Sequence, residues 1–85
     1  MADIHCTLSI SEEALDQLRA LPREQRRRIG ARLTRLQANL SGDVKKLTAK
    51  ERKYRLRVGD YRVLFRLEGR RISVYAVKDR KEAYE

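Results

Sequence analysis

Residues 53–84 alternate between apolar and polar side chains with a period of two. Successive side chains of a strand point to opposite faces of a sheet, so this alternation predicts strands with one buried face. Glycine-containing dipeptides at 59–60 and 69–70 divide the stretch and are typical of tight hairpin turns. The pattern therefore predicts a three-stranded antiparallel meander with these inward-facing residues: Tyr54, Leu56, Val58, Tyr61, Val63, Phe65, Leu67, Ile72, Val74 and Ala76.

The opposite face of the same strands is predicted to be strongly cationic. Its members are Arg55, Arg57, Arg62, Leu64, Arg66, Glu68, Arg71, Ser73, Tyr75 and Val77. Several cations on one sheet face repel each other, so a polyanionic partner is the simplest reason for the arrangement. The alternative is that these are ordinary solvated surface arginines. Arginine favours the first interpretation, because its planar fork binds phosphate bidentately and stacks on bases.

The N-terminal part predicts one strand and two helices. Residues 4–10 alternate as a strand, with Cys6 on its apolar side and His5 on the other. Ser11 can cap a helix with an apolar stripe, which Pro22 ends. A second helix over residues 23–40 repeats apolar residues at helical spacing. Its polar side is rich in arginine, which we interpret as a mainly solvated face, with phosphate contacts as a second interpretation.

One glycine interrupts the second predicted helix. Gly30 costs about 1 kcal/mol relative to alanine in a helix interior, and a close helix contact would explain its presence.

Residues 44–52 are mixed and lysine-rich. We interpret them as a loop that supplies cations to the rim of the sheet.

These elements predict a two-layer α+β fold with an N-terminal strand and a helical hairpin packed on an antiparallel sheet, in the order β-α-α-β-β-β. The chain is long enough for a single domain over residues 1–85. The arginine face of the sheet is then left open.

The charge balance limits the classes of partner. The formal net charge is +9, which favours nucleic acid, an anionic membrane surface or an acidic protein. No apolar run is long enough to span a bilayer. One cysteine excludes an internal disulfide and fits a cytoplasmic protein, and one Cys with one His does not supply a structural zinc site. The motifs of nucleotide triphosphatases, serine esterases and zinc peptidases do not occur.

Cleavage of RNA is one reaction that such a face could perform. The 2′-hydroxyl must lose a proton and attack in line, charge on the phosphate must be stabilised, and the leaving oxygen must be protonated. Arginines can stabilise the charge, but they do not deprotonate at working pH. The candidate acids and bases are Tyr75, Tyr84, Lys50, Lys78, Lys81 and Glu82.

The C-terminal half carries a specific sequence signal, KKLTAKERKYRLRVGDYRVLFRLEGRRISVYAVKDRKEAY. It resembles the RelE/ParE toxins of bacterial and archaeal toxin–antitoxin pairs, above all in its RVGDYR block and its terminal V-x-x-R-x-x-x-Y segment. The preceding strand and helical hairpin occur in the same order as in that family.

The resemblance implies a ribosome-dependent endoribonuclease that cuts mRNA in the A site by 2′-hydroxyl attack, with no metal or other cofactor. It implies catalytic roles for Arg62, Arg80 and Tyr84. An acidic antitoxin would be the protein partner, and the ribosome and mRNA would be the targets. The RNA-binding residues expected from the resemblance and the basic face together are Arg55, Arg57, Arg66, Lys46, Lys50, Arg52, Lys53 and Arg71.

Two departures from the family pattern leave other functions open. Some RelE members have a lysine pair where this chain has Arg55 and Arg57, and many have V-G-H-R where this chain has Val77-Lys78-Asp79-Arg80. At these positions the chain therefore lacks the lysine and histidine side chains that could exchange protons. The alternatives are a ParE-type inhibitor of DNA gyrase and a non-catalytic relative that binds RNA or the ribosome.

Overall fold

The computed structural model describes residues 6–79, in which two helices pack against one face of a five-stranded sheet. The strand order is β1-β5-β4-β3-β2; β1 runs parallel to β5, and every other neighbouring pair is antiparallel. The predicted α+β class and two-layer arrangement are confirmed. The elements are β1 Thr7–Ile10, α1 Glu12–Arg19, α2 Arg23–Asn39, β2 Asp43–Thr48, β3 Lys53–Val58, β4 Tyr61–Glu68 and β5 Arg71–Asp79.

The helices begin and end where the sequence predicts. The Ser11 hydroxyl accepts a hydrogen bond from the Ala14 amide at 3.1 Å, which caps α1. Pro22 occupies the N-cap of α2, and Leu40 ends that helix in the left-handed conformation. The six arginines on α2 are all exposed, in agreement with a solvated face. No helix within residues 6–79 is long and apolar enough to cross a membrane.

The core lies between the helices and the inner face of the sheet. Ile29, Leu33 and Leu36 of α2 pack with Leu56 and Phe65 of the sheet. Leu56 and Phe65 are almost completely buried. Cys6 is also buried in this cluster. Its predicted place on the apolar side of the first strand is therefore correct. The first two residues of that predicted strand, His5 included, lie outside the described residues.

The interpretation of residues 44–52 as a loop is wrong in its first half. Asp43–Thr48 forms β2, an edge strand that pairs with β3. Five of its six residues are exposed, so the strand lacks the apolar alternation that identifies a half-buried strand in a sequence. Residues 49–52 form the turn between β2 and β3.

The predicted faces of Ala76 and Val77 are exchanged. The pairing of β4 with β5 shifts between Leu64 and Phe65, so that Leu64 pairs with Ala76 and Phe65 pairs with Val74. Tyr75 is left unpaired as a β-bulge, which reverses the alternation after it. Val77 joins the core cluster, and Ala76 lies on the opposite face.

Candidate nucleic-acid interface

The face of the sheet that points away from the helices, here called the open face, carries the candidate site. Paired residues of neighbouring strands lie on the same face, so the register arranges its side chains in four transverse rows. The first row is Asp43, Arg57, Arg62 and Lys78; the second is Lys45, Arg55, Leu64 and Ala76; the third is Thr48, Lys53, Arg66, Ser73 and Ser9; the fourth is Glu68, Arg71 and Thr7.

The first row brings three cations and one carboxylate to the end of the sheet next to the β3–β4 turn. Arg57 and Arg62 are direct cross-strand partners, and Lys78 pairs with Arg62 from the other side. The Arg57 Nε lies 4.0 Å from the Asp43 Oδ2, and 51% of the Arg57 side chain is exposed. A hollow of about 70 Å³ lies at this end, lined by Arg57, Arg62 and the turn. The row therefore presents a concentration of positive charge to solvent.

Arg55, in the second row, is much more buried than Arg57 in the first row. Only 12% of its side chain is exposed, and its Nη1 lies 4.0 Å from the Asp43 Oδ1. That nitrogen is buried and has no hydrogen-bond partner. Its neighbours in the row, Leu64 and Ala76, are also buried. The centre of the open face is thus apolar, with a guanidinium embedded in it.

The third row lies on the other side of the apolar centre of the open face. Lys53 donates to the Glu51 carboxylate at 3.0 Å, and this hydrogen bond and the Lys53 charge lower the pKa of Glu51 below its ordinary value. The Lys53 Nζ also lies 5.5 Å from the centre of the Tyr75 ring. Arg66 is exposed between Lys53 and Ser73.

The remaining predicted binding residues do not all lie on this face. Lys46 pairs with Tyr54, and its Nζ lies 5.9 Å from the Tyr54 ring on the helix side of the sheet. Lys50 and Arg52 lie in the β2–β3 turn, where the Arg52 Nη1 is 3.8 Å from a Glu68 carboxylate oxygen. Arg71 does lie on the open face, where it pairs with Glu68 and Thr7 in the fourth row. Glu68 therefore reduces the positive charge beside Arg52 and Arg71. Arg80 and Tyr84 lie outside the described residues.

Sequence reasoning missed three components of the open face. Asp43 faces Arg57 from β2, which was not predicted as a strand. Ala76 reaches the face through the bulge in β5. Leu47 is left unpaired by a second irregularity, between Lys46 and Thr48 in β2, and is 38% exposed. Asp43, Val44 and Lys45 alternate over only three residues, which is too short a stretch to predict a strand.

The chemistry available on the open face is electrostatic. Arg57 and Arg62 can bind the oxygens of one phosphate and stabilise charge that develops on it. Lys78 in the same row can also exchange a proton, which arginine does not do. Within residues 6–79, no cluster of His, Cys, Asp or Glu is arranged to hold a metal ion.

Comparison with known families gives one match that covers most of the chain. Residues 8–84 match the model of the ParE toxin of the type II toxin–antitoxin system parDE. No curated protein matches the chain at a significant level.

Several solved structures that resemble this fold are toxin–antitoxin complexes. The chain is 27% identical to a chain of the archaeal RelE–RelB complex from Pyrococcus horikoshii OT3, with a TM-score of 0.78 and coverage of 92% of this chain and 98% of that chain. It is 29% identical to a chain of the RelB–RelE complex from Methanococcus jannaschii, with a TM-score of 0.74 and coverage of 88% and 93%. A chain of the intact RelBE complex of E. coli is 19% identical, with a TM-score of 0.59 and coverage of 87% and 95%; this last likeness concerns the fold alone.

Proposed function

Because this chain belongs to the ParE toxin family and is the toxin of a type II toxin–antitoxin system, we propose that it acts as a ribosome-dependent endoribonuclease that cuts mRNA in the A site. The observation that carries this proposal is the first row of the open face, in which Arg57, Arg62 and Lys78 lie side by side across three strands. The likeness to chains of archaeal RelE–RelB complexes at 27% and 29% identity supports it.

In the proposed reaction, the 2′-oxygen of the cut nucleotide loses its proton to a base and attacks the neighbouring phosphorus. The bond from phosphorus to the 5′-oxygen breaks, and that oxygen receives a proton. Arg57 and Arg62 stabilise the negative charge that develops on the phosphate oxygens. A mechanism of this kind needs no metal, because the guanidinium groups supply the positive charge.

The proton transfers are assigned to residues at and after the end of β5. Lys78 lies in the same row as Arg62 and is the candidate base from the described part of the chain. Arg80 and Tyr84 are proposed catalytic partners because they match the terminal segment of RelE-like toxins. Tyr84 is the proposed proton donor to the leaving oxygen.

A cognate antitoxin is the expected protein partner, since the similar structures are complexes of toxin and antitoxin. We propose that the antitoxin contributes an acidic segment. The toxin carries a formal net charge of +9, and a segment of opposite charge that covers Arg57 and Arg62 would compete with RNA for the same cations.

Primer extension on a defined mRNA translated in vitro tests the proposal. Cuts at A-site codons are expected when both toxin and ribosomes are present, and none when ribosomes are left out. Arg62→Ala should abolish the cuts without unfolding the protein. Arg32→Ala, which removes the same charge from the exposed side of α2, is the matched control and should cut as the wild type does. Full cleavage by Arg62→Ala would show that the proposed site is wrong.

A second candidate function is inhibition of DNA gyrase. It is favoured by the match to the ParE model and by arginine at positions 55 and 57, where some RelE members have lysine. A supercoiling assay with purified gyrase separates the two functions. Inhibited supercoiling together with intact transcripts would favour this function. Ribosome binding with neither effect would indicate a non-catalytic relative.

A further inference from the structure

Two irregularities in the sheet lie on either side of the same cleft. In β2, the pairing with β3 skips Leu47, since Lys46 pairs with Tyr54 and Thr48 pairs with Lys53. In β5, the pairing with β4 skips Tyr75. A bulge turns a side chain out of the regular alternation, and bulges are over-represented beside functional sites. Both extra residues are directed to one place on the open face.

The cleft between the two bulges combines an apolar surface with a cationic edge. Leu47, Leu64 and Tyr75 line it together with Thr48, Glu51 and Lys53, and its volume is about 380 Å³. Leu47 is the large apolar residue that the described part of the chain leaves exposed. Tyr75 also lines a neighbouring cleft of about 450 Å³ with Arg66, Ser9 and Ser73. The Tyr75 side chain therefore borders open space on two sides.

Building on the proposed function, we propose that this cleft is a second nucleotide subsite, in which one unpaired base of the mRNA stacks on Tyr75 between Leu47 and Leu64. Lys53 and Arg66 hold the phosphate of that nucleotide. Single-stranded RNA is commonly bound by aromatic side chains that stack on bases and by cations that follow the backbone. The bulge at Tyr75 and the cations of the third row bring both kinds of group together.

The position of the cleft makes it a subsite for a flanking nucleotide. Arg62 of the first row and Arg66 of the third row are separated by four residues of β4, or about 13 Å in an extended strand. The subsite is therefore separate from the phosphate that Arg57 and Arg62 would hold. Arg55 lies between the two rows, where it can contact the connecting backbone.

A purely apolar occupant fits the cleft less well than a nucleotide. Lys53 lies in the cleft wall, and Arg66 is exposed in the same row. An apolar protein segment would desolvate Arg66 and the Lys53–Glu51 ion pair without offering them hydrogen bonds, which is costly. A nucleotide places its base on the apolar surface and its phosphate near the cations. It therefore buries the apolar side chains and also pairs the positive charge.

The test combines variants of the protein with abasic RNA. Binding of short single-stranded RNAs of equal length is measured by fluorescence anisotropy at low salt, with one abasic nucleotide moved along the strand. A 2′-deoxy nucleotide at the cutting position prevents cleavage. For the wild type, loss of the base at one position should weaken binding about 5- to 100-fold, as expected for one stacked base. Tyr75→Ala should bind intact RNA more weakly by a similar factor and should no longer respond to that abasic position.

Matched variants distinguish stacking from general effects. Tyr75→Phe keeps the ring and should keep the response to the abasic position that Tyr75→Ala loses, while Arg35→Ala on α2 controls for loss of charge elsewhere. Leu47→Ser removes an exposed side chain from the edge strand, so it tests the same cleft even where Tyr75→Ala fails to fold. Equal sensitivity of wild type and Tyr75→Ala to every abasic position would overturn the inference, as would wild-type binding by Leu47→Ser.

Failure of the subsite and failure of the proposed nuclease give different results. RNA cleavage on ribosomes with no effect of Tyr75→Ala on binding contradicts the subsite alone. Binding that depends on Tyr75 without any cleavage contradicts the nuclease and supports the subsite. Absence of binding to every single-stranded RNA contradicts the subsite, while primer extension still decides the nuclease.

Discussion

Arg55 is held against the apolar centre of the open face, with a buried terminal nitrogen that has no hydrogen-bond partner. A buried donor without a partner costs about 1–3 kcal/mol. The Asp43 carboxylate is 4.0 Å away, too far for a hydrogen bond. The free protein is thus less stable for holding this guanidinium in place.

Arg55→Met should separate the stability of the fold from its binding function. The free energy of unfolding should stay unchanged or rise by up to about 2 kcal/mol, because an unsatisfied buried donor is replaced by an apolar side chain of similar length. Affinity for single-stranded RNA should fall. Chemical denaturation and anisotropy measure the two effects; a large loss of stability would show that the contact with Asp43 is strongly favourable.

The Glu51–Lys53 pair gives a prediction about pH. Lys53 lowers the pKa of Glu51 through a hydrogen bond and through its charge, so folding favours the ionised carboxylate. The stabilising contribution is present above the pKa of Glu51 in the unfolded chain and is lost as the pH falls through the lowered pKa in the folded protein. In Lys53→Met, an NMR titration of the Glu51 carboxyl should show a pKa higher than in the wild type. An unchanged pKa would mean that the pair does not form in solution.

At the scale of the elements, two glycines are expected to respond to alanine in opposite ways. Gly42, between α2 and β2, has a φ of +133°, and a Cβ there would lie 2.8 Å from the Leu56 Cδ1 in the core. Gly30, inside α2, has no atom within 4 Å of such a Cβ. The expected close contact at Gly30 is therefore not found among the described residues.

Gly42→Ala should lower the free energy of unfolding by about 1–3 kcal/mol, since it adds both backbone strain and a core clash. Gly30→Ala should raise it by up to about 1 kcal/mol, the difference in helix propensity. Thermal and chemical denaturation of the two variants beside the wild type measure both. A destabilising Gly30→Ala would show that the glycine has a structural role within the free chain.

The elements that the sequence predicts well are those with one buried face. The meander, both helices and the arginines of the open face follow from residue spacing, because burial imposes the period. The edge strand β2 was not predicted because it is mostly exposed. The predicted face of Ala76 was wrong because the β-bulge that reverses it depends on packing between strands. The contact between Arg57 and Asp43 required that missing strand, so it could not be predicted from the alternation alone.

For the whole molecule, the excess of positive charge is expected to dominate binding to RNA. The first and third rows lie on either side of Arg55 on the open face, and each strand contributes at least one cation or hydroxyl. An RNA that follows this path contacts several phosphates at once. The affinity should therefore depend strongly on salt.

With about five phosphates contacted, the logarithm of the association constant should fall with the logarithm of salt concentration at a slope of about −3 to −4. Anisotropy measured over a range of potassium chloride concentrations gives the slope. Arg66→Ala should make it less negative by about 0.7, while Arg32→Ala on α2 should leave it unchanged. A flat response of the wild type would contradict phosphate recognition by this face.

The parallel pairing of β1 with β5 has a consequence for how the protein is made. Thr7 of β1 pairs with Arg71 of β5, and the rows of the open face need residues from β5. Synthesis delivers β5 after the four other strands, so the sheet closes only once β5 has left the exit tunnel. If the protein acts as proposed above, a nascent toxin is expected to be inert toward the ribosome that translates it until β5 has emerged, and an antitoxin already present can bind as the sheet closes.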